Sequence, residues 1–194
     1  MPKHIENARE QLLDEVRHQI SERGYSKTTI RSVAKACGLG LGTVYNYFKS
    51  KDMLIASVVS EDWQKCTAQL KNSKPRSKEE TIKLIFDMLK SFTEKHKDLF
   101  TDTDAIKKFS SIYSEKHEIL RNQIANFILP VCKDDENKDD ENKDDENKDD
   151  ENEEFLSQFI AEALLSWTME DVPFEKFYSI LKRLINETNK EKKS

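Results

Sequence analysis

Residues 23–51 read RGYSKTTIRSVAKACGLGLGTVYNYFKSK, and this stretch decides the architecture of the chain. It holds six Lys or Arg residues and no Asp or Glu, and all four glycines of the 194-residue chain lie within it. Two short segments with helical periodicity flank a Gly turn, and a basic exit follows them. The pattern predicts a helix-turn-helix unit with a strongly positive surface.

Local signals place the helices of this unit. The preceding segment repeats one apolar face and predicts a first helix, with Ile5, Ala8, Leu12, Val16 and Ile20 on that face. We expect Gly24 to end this helix with a positive φ, because glycine adopts that conformation at little cost. Thr28 or Thr29 can cap the second helix, Gly38 makes the turn, and Gly40 stands as a weaker cap of the third.

The third and fourth helices follow from the same rules. The third begins near Gly40 to Gly42 and presents Val44 and Phe48 inward. Ser50 caps a longer fourth helix, whose predicted apolar side consists of Met53, Leu54, Val58 and Trp63.

The rest of the chain predicts an all-α protein. Proline is scarce and glycine is absent outside the basic stretch, whereas helical periodicity recurs through 82–92, 106–113, 120–128, 153–168 and 174–189. We expect about nine helices, with a stop at Pro130. They would form a three-helix head over residues 1–51 and a helical domain over 52–194. The chain has no apolar run of about 18 residues, so we expect a cytoplasmic protein rather than a membrane protein.

Four tandem copies of Lys-Asp-Asp-Glu-Asn occupy residues 133–152. They carry twelve acids and four lysines, so the chain is net negative overall although its amino-terminal part is basic. Because the repeat has no apolar residue, we predict an exposed, disordered loop. Two interpretations remain open: a tolerated insertion, or an acidic segment that repels DNA from the body or competes with phosphates for the basic head.

No catalytic or metal-binding pattern is present. Cys37, Cys66 and Cys132 lack the spacing of a zinc site or a disulfide framework, and neither a P-loop nor a G-x-S-x-G motif occurs. We therefore expect no enzyme activity, metal or cofactor.

The third helix carries side chains suited to duplex DNA. Gly42 lets backbone N–H groups approach a phosphate, and Thr43 and Tyr45 supply hydroxyl groups. Asn46 and Tyr47 can face base edges. The major groove is wide enough to admit such a helix, so we predict DNA binding.

The stretch resembles the TetR family of bacterial transcriptional regulators. Residues 28–34, 37–39, 42–48 and 51–54 carry the likeness, which covers about the first 55 residues. The resemblance implies contacts to bases or the adjoining backbone from Arg31, Gly42, Thr43, Asn46 and Tyr47, and contacts to phosphates from Tyr45 and Lys51. Thr28 and Thr29 belong to the same candidate DNA-binding set.

Two positions depart from the family pattern. Gly40 stands where the family usually has a capping Ser, and Leu41 stands where a polar or basic residue is common. A contact between Leu41 and a thymine methyl group becomes possible instead.

The resemblance also implies a helical effector-binding and dimerisation domain. We expect the last two helices to pair with those of a second copy, and a palindromic operator to bind this homodimer. A small hydrophobic effector would release the repressor, and its candidate contacts are Trp63, Phe86, Phe92, Phe109 and Tyr113. The alternative is a helical module that binds a protein or peptide and no specific DNA.

Overall fold

The computed structural model describes residues 7–133, 143–170 and 172–191, and the side chains within 110–115, 143–149 and 186–191 fall outside the description. Every regular element in the described ranges is a helix, as the composition predicts. The elements are α1 (Ala8–Lys27), α2 (Ile30–Ala36), α3 (Leu41–Tyr47), α4 (Lys51–Asn72), α5 (Lys78–Lys95), α6 (Lys97–Thr101), α7 (Thr103–Cys132), α8 (Lys143–Trp167) and α9 (Phe174–Glu191).

The chain falls into two compact units. The first comprises Met1–Lys71 and Glu94–Ser111, and the second comprises Asn72–Thr93 and Ile112–Ser194. The predicted division at residue 51 stays a prediction. None of the helices in the described ranges is both long and apolar enough to cross a membrane.

The first unit is built around α1, which contacts α2 and α6. Its core takes aliphatic side chains from four helices, because apolar residues recur every three or four positions and so share one face of each helix. The fully buried members include Leu12, Leu13, Val16, Val33, Val44, Leu54 and Ile55. The fourth helix differs from expectation at Met53, which is exposed.

The second unit has an aromatic and aliphatic core. The ring centroid of Phe86 lies 5.4 Å from that of Phe174 and 5.9 Å from that of Phe177, and Trp167 lies 5.3 Å from Phe177. Buried aliphatic side chains complete this core, among them Ile82, Ile85, Ile124, Ile128, Ile160 and Leu164. Edge-to-face ring pairs of this kind stabilise a core beyond the burial of their area.

Two predictions about this second unit need correction. Pro130 lies inside α7, two residues before its end, and does not stop the helix. Burial of Val131 and Cys132 offsets the hydrogen bond that proline cannot donate. Residues 143–152 of the acidic repeat belong to α8, so the predicted disorder is wrong for them. The apolar part of α8 is already helical, and adding residues to an existing helix costs less than starting a new one. Acidic residues near the start of a helix are also stabilised by its dipole. Residues 134–142 lie outside the described residues.

Candidate nucleic-acid interface

The turn before α2 depends on one glycine. Gly24 has φ +80° and interrupts the helical backbone of α1, as expected from its position. The turn buries Tyr25, and the hydroxyl of Thr28 donates a 2.9 Å hydrogen bond to the carbonyl of Gly24. Thr28 is only 1% exposed, so its side chain stabilises the turn and lies at the floor of the surface.

Thr29 is the residue that caps α2. Its hydroxyl accepts the N–H of Ser32 at 3.0 Å, and the Ser32 hydroxyl accepts the N–H of Thr29 at 3.1 Å. This reciprocal capping box fixes the start of the helix. Ile30 and Val33 then face the core and Arg31 is exposed.

The connection from α2 to α3 uses two further glycines. Gly38 has φ +64°, and the following N–H of Leu39 bonds to the carbonyl of Ala34 at 2.9 Å. Gly40 is the N-cap of α3 and supplies no side-chain hydrogen bond. These observations confirm the predicted turn and the weaker cap.

Two buried side chains orient α3. Val44 and Phe48 lie in the core, which confirms the predicted inward face. The helical repeat of 3.6 residues then turns Tyr45, Asn46 and Tyr47 outward, and all three are exposed. Residues 23–51, which include all of α2 and α3, contribute no acidic side chain near this face.

Gly42 is not required by the packing of the protein. It is exposed in the first turn of α3, and a methyl group at this position would meet nothing within 4 Å. Its φ is not positive, so the backbone conformation is open to other residues as well. Glycine inside a helix costs about 0.5–1 kcal/mol relative to alanine. The fold therefore gives no reason for glycine here, whereas close approach by an external group does.

A surface groove beside α3 gathers six of the ten candidate DNA contacts, namely Thr28, Thr29, Arg31, Leu41, Tyr45 and Lys51. Ile30, Lys49 and Ser50 complete its lining. Lys49 and Ser50 were not among the candidates, although the basic exit Lys-Ser-Lys was a signal for them. The other four candidates, Gly42, Thr43, Asn46 and Tyr47, belong to α3 outside this lining.

The cations of the groove differ in their exposure and in the contacts they make within the protein. The Nζ of Lys51 donates to the carbonyl of Tyr25 at 2.8 Å and lies 3.6 Å from the centroid of its ring. Burial lowers the pKa of Lys51, while the nearby carboxylates, Asp52 first among them, oppose that shift. Arg31 and Lys49 are exposed, and the Nζ of Lys49 donates to the carbonyl of Tyr45 at 3.1 Å.

Tyr25 links Lys51 to a wider polar network. Its hydroxyl donates to Asp52 at 2.7 Å, and burial together with this carboxylate raises the pKa of Tyr25. Its ring packs edge-on against Phe109 at 5.8 Å. Next to it, the hydroxyl of Ser26 donates to Asp104 at 3.0 Å. The turn before α2 is thereby tied to the starts of α4 and α7.

The candidate effector contacts are divided between the two units. Trp63 and Phe109 are buried in the first unit, and Phe86 and Phe92 are buried in the second. The side chain of Tyr113 lies outside the described residues. Phe86 and Phe109 pack against other aromatic rings in the cores described above. A role of these residues in effector binding stays a prediction.

Comparison with known proteins adds a family likeness to this geometry. Residues 12–58 match the family described as bacterial regulatory proteins, tetR family. An HTH-type transcriptional repressor of Mycobacterium tuberculosis is 33% identical over 93 residues, which are 46% of this chain and 46% of that protein. The HTH-type transcriptional regulator PksA of Bacillus subtilis is 27% identical over 136 residues, which are 66% of each chain. The chain thus aligns with less than half of the first relative's length and about two thirds of the second's.

A solved structure resembles a larger part of the chain. The TetR family repressor AlkX from Dietzia sp. has a TM-score of 0.58, and the match covers 94% of this chain and 96% of that one. The two sequences are 15% identical. At that level the likeness concerns the fold alone.

Proposed function

We propose that the protein is a transcriptional regulator of the TetR family that binds operator DNA as a homodimer, on the premise that its residues 12–58 match the family of bacterial regulatory proteins, tetR family. One observation carries the proposal. An acid-free groove with exposed cations lies beside a short helix whose outward side chains the fold does not use.

We assign base reading to α3. An α-helix with its side chains is about 10–12 Å across, which suits a B-DNA major groove about 12 Å wide. Asn46 can pair with an adenine edge through its amide, and Tyr47 lies beside it on the exposed surface. Gly42 permits close approach of backbone N–H groups to a phosphate at the start of the helix.

Phosphate binding falls mainly to the groove. Arg31 and Lys49 are exposed cations, and Tyr45 adds a hydroxyl. Lys51 lines the same groove, but its ammonium group already donates one hydrogen bond to the Tyr25 carbonyl. Since Thr28 is buried, we assign it to the turn and not to the DNA contacts.

Dimerisation is supported by apolar stripes on the last two helices. Phe155 and Phe159 are one helical turn apart on α8 and are 74% and 53% exposed. Ile180 and Leu184 repeat the same spacing on α9 and are also exposed. Large exposed apolar residues in such rows are typical of a protein interface. A second copy would cover them and place two heads on half-sites about 34–36 Å apart.

We further propose repression as the outcome, with release by a small hydrophobic effector. A dimer seated on an operator blocks access to the promoter, and the relatives named above include repressors. Release requires that the effector bind the DNA-free state more tightly, with a coupling on the order of 1–3 kcal/mol. A regulator of this kind acts in the cytoplasm, where the bacterial chromosome lies.

The salt dependence of DNA binding tests the proposal. The full chain is titrated into labelled mixed-sequence duplex, and fluorescence anisotropy gives the affinity at several salt concentrations. We expect log affinity to fall linearly with log salt, because bound cations release counterions from the phosphates. Indifference to duplex DNA at low salt would favour the helical protein-interaction module instead.

A further inference from the structure

A cavity lies within the first unit, between α1, α4 and the chain around α6. Its volume is about 240 Å³. Its apolar wall consists of Ile20 from α1, Ile55, Val58 and Val59 from α4, and Leu99 from α6. An apolar cavity of about 150 Å³ is enough to bind benzene, and ligand pockets begin near 300 Å³. The space therefore suits a molecule of roughly one substituted ring.

The other end of the cavity is polar. Arg17, Lys95 and His96 line it, and all three side chains also contact Asp62 on α4. Asp62 is 2% exposed, with Arg17 at 3.0 Å, Lys95 at 2.9 Å and the Nε2 of His96 at 3.3 Å. A bound molecule would thus meet an aliphatic wall on one side and hydrogen-bonding groups on the other.

The charges at the polar end are already balanced. Besides Asp62, Arg17 contacts Asp14 at 2.7 Å and Glu61 at 3.4 Å. Glu61 also pairs with Arg9, so three cations meet three acids and no surplus positive charge remains for an anion. Asp98 at the rim is exposed, so water screens its attraction for a cation. Burial of a charged group here would be costly without a new partner, whereas a hydroxyl needs only one hydrogen bond.

We propose that this cavity is a binding site for a small, neutral amphipathic molecule. Its apolar body, about the size of one ring, packs against the aliphatic wall, and a single hydroxyl or carbonyl group faces Arg17, Lys95 and His96. This site differs from the aromatic set expected to bind an effector, since none of the four members whose side chains the structure describes lines it.

Occupancy of the cavity acts on the DNA-binding surface through α4. Lys51 lines the groove and Ile55 lines the cavity, one helical turn or about 6 Å further along the same helix. A molecule that separates α1 from α4 shifts the groove relative to α3. This consequence rests on the proposed DNA-binding function, whereas ligand binding itself does not. We expect occupancy to change DNA affinity by roughly 5- to 150-fold.

Benzyl alcohol serves as the probe, with benzoate and benzylammonium as matched charged molecules. Methyl NMR of the full chain, labelled at Ile and Val, follows the four aliphatic residues of the wall contributed by α1 and α4. We expect saturable shifts of these methyl groups with benzyl alcohol and affinities at least tenfold weaker with both ions. Absence of saturation, or equal or tighter binding of either ion, would overturn the assignment.

A matched pair of variants locates the site. Ser21 is exposed on α1 at the rim of the cavity, and Ser60 is exposed on α4 outside the lining. Ser21→Phe should abolish the shifts and Ser60→Phe should retain them. Equal effects of the two substitutions would contradict the site. DNA affinity is measured with and without the alcohol. If the chain binds the alcohol saturably but does not bind DNA, the cavity site stands and the proposed function is refuted.

Discussion

The ammonium nitrogen of Lys51 lies 2.8 Å from the carbonyl oxygen of Tyr25 and 3.6 Å from the centroid of its ring. A residue expected to hold a phosphate therefore also holds the turn between α1 and α2. The neighbouring Lys49 lines the same groove from an exposed position. We therefore expect Lys51 to contribute both to the stability of the turn and to phosphate binding, and Lys49 to contribute mainly to phosphate binding.

Substitution of the two lysines should separate DNA binding from stability. We expect Lys49→Ala and Lys51→Ala each to reduce the slope of log affinity against log salt by about 1, since each removes one phosphate contact. Lys51→Ala should lower the free energy of unfolding by about 1 kcal/mol and Lys49→Ala by clearly less, because Lys51 loses a part-buried hydrogen bond and a cation–π contact, whereas the hydrogen bond of Lys49 is exposed. Urea unfolding and anisotropy measure the two quantities. Equal stability losses would contradict the distinction.

Gly42→Ala should move stability and DNA affinity in opposite directions. The added methyl group has free space in the protein, and alanine is the better helix former, so the unfolding free energy should rise by up to about 1 kcal/mol. The same group would obstruct close approach of a phosphate, and we expect at least tenfold weaker binding. Gly38→Ala is the control, because its φ of +64° makes the substitution destabilising. Unchanged DNA affinity in a stabilised Gly42→Ala protein would remove the proposed phosphate approach.

His96 should make the stability of the chain fall in mild acid. Burial lowers its pKa below the ordinary 6.5, with the carboxylate of Asp62 opposing the shift and Lys95 and Arg17 adding to it. As the pH drops through 6.5 the unfolded chain takes up a proton that the folded chain resists, so unfolding becomes easier. The stability that neutral His96 contributes is fully present above pH 6.5. The free energy of unfolding should therefore fall by up to about 1 kcal/mol between pH 7 and pH 5.5.

Two histidine variants test this pH dependence. His96→Gln should flatten the loss of stability in urea unfolding between pH 7 and pH 5.5. His18→Gln replaces an exposed histidine of the same unit and should leave the change of unfolding free energy with pH as it is in the unaltered chain. A slope that survives in the His96 variant would show that other groups cause it.

Phe159→Asp should weaken the homodimer. Phe159 is 53% exposed on the stripe that we assign to the interface, and loss of a central aromatic contact costs about 2 kcal/mol or more. We expect the dimer dissociation constant to rise at least about 30-fold in sedimentation equilibrium. Ile106→Asp is the matched control, since Ile106 is an exposed apolar residue of the other unit. A dimer unaffected by Phe159→Asp would place the interface elsewhere.

The sequence was most informative where short-range rules apply. The positive φ at Gly24, the turn at Gly38 and a threonine cap of α2, which is Thr29, are confirmed. Ser50 also caps α4, accepting the N–H of Met53 at 3.1 Å. Each of these features depends on backbone groups within four residues, so local preference determines it.

Features that depend on distant parts of the chain were harder to predict. The partner of Lys51 lies 26 residues earlier, and nothing in the local pattern indicates it. Thr28 and Thr29 are adjacent, and only the geometry of the turn decides which one is buried. The cavity requires residues of four helices, which no spacing within one segment reveals. In the acidic repeat, extension of α8 prevailed over the weak helix propensity of its aspartates.

Selection from a random duplex pool tests the central proposal most directly. The full chain is incubated with the pool at physiological salt, and bound sequences are amplified through several rounds. We predict enrichment of one palindromic motif with half-sites about 10–10.5 base pairs apart, because two heads of a dimer would read successive turns of the major groove. Failure to enrich any motif above the starting pool would contradict specific DNA reading by α3.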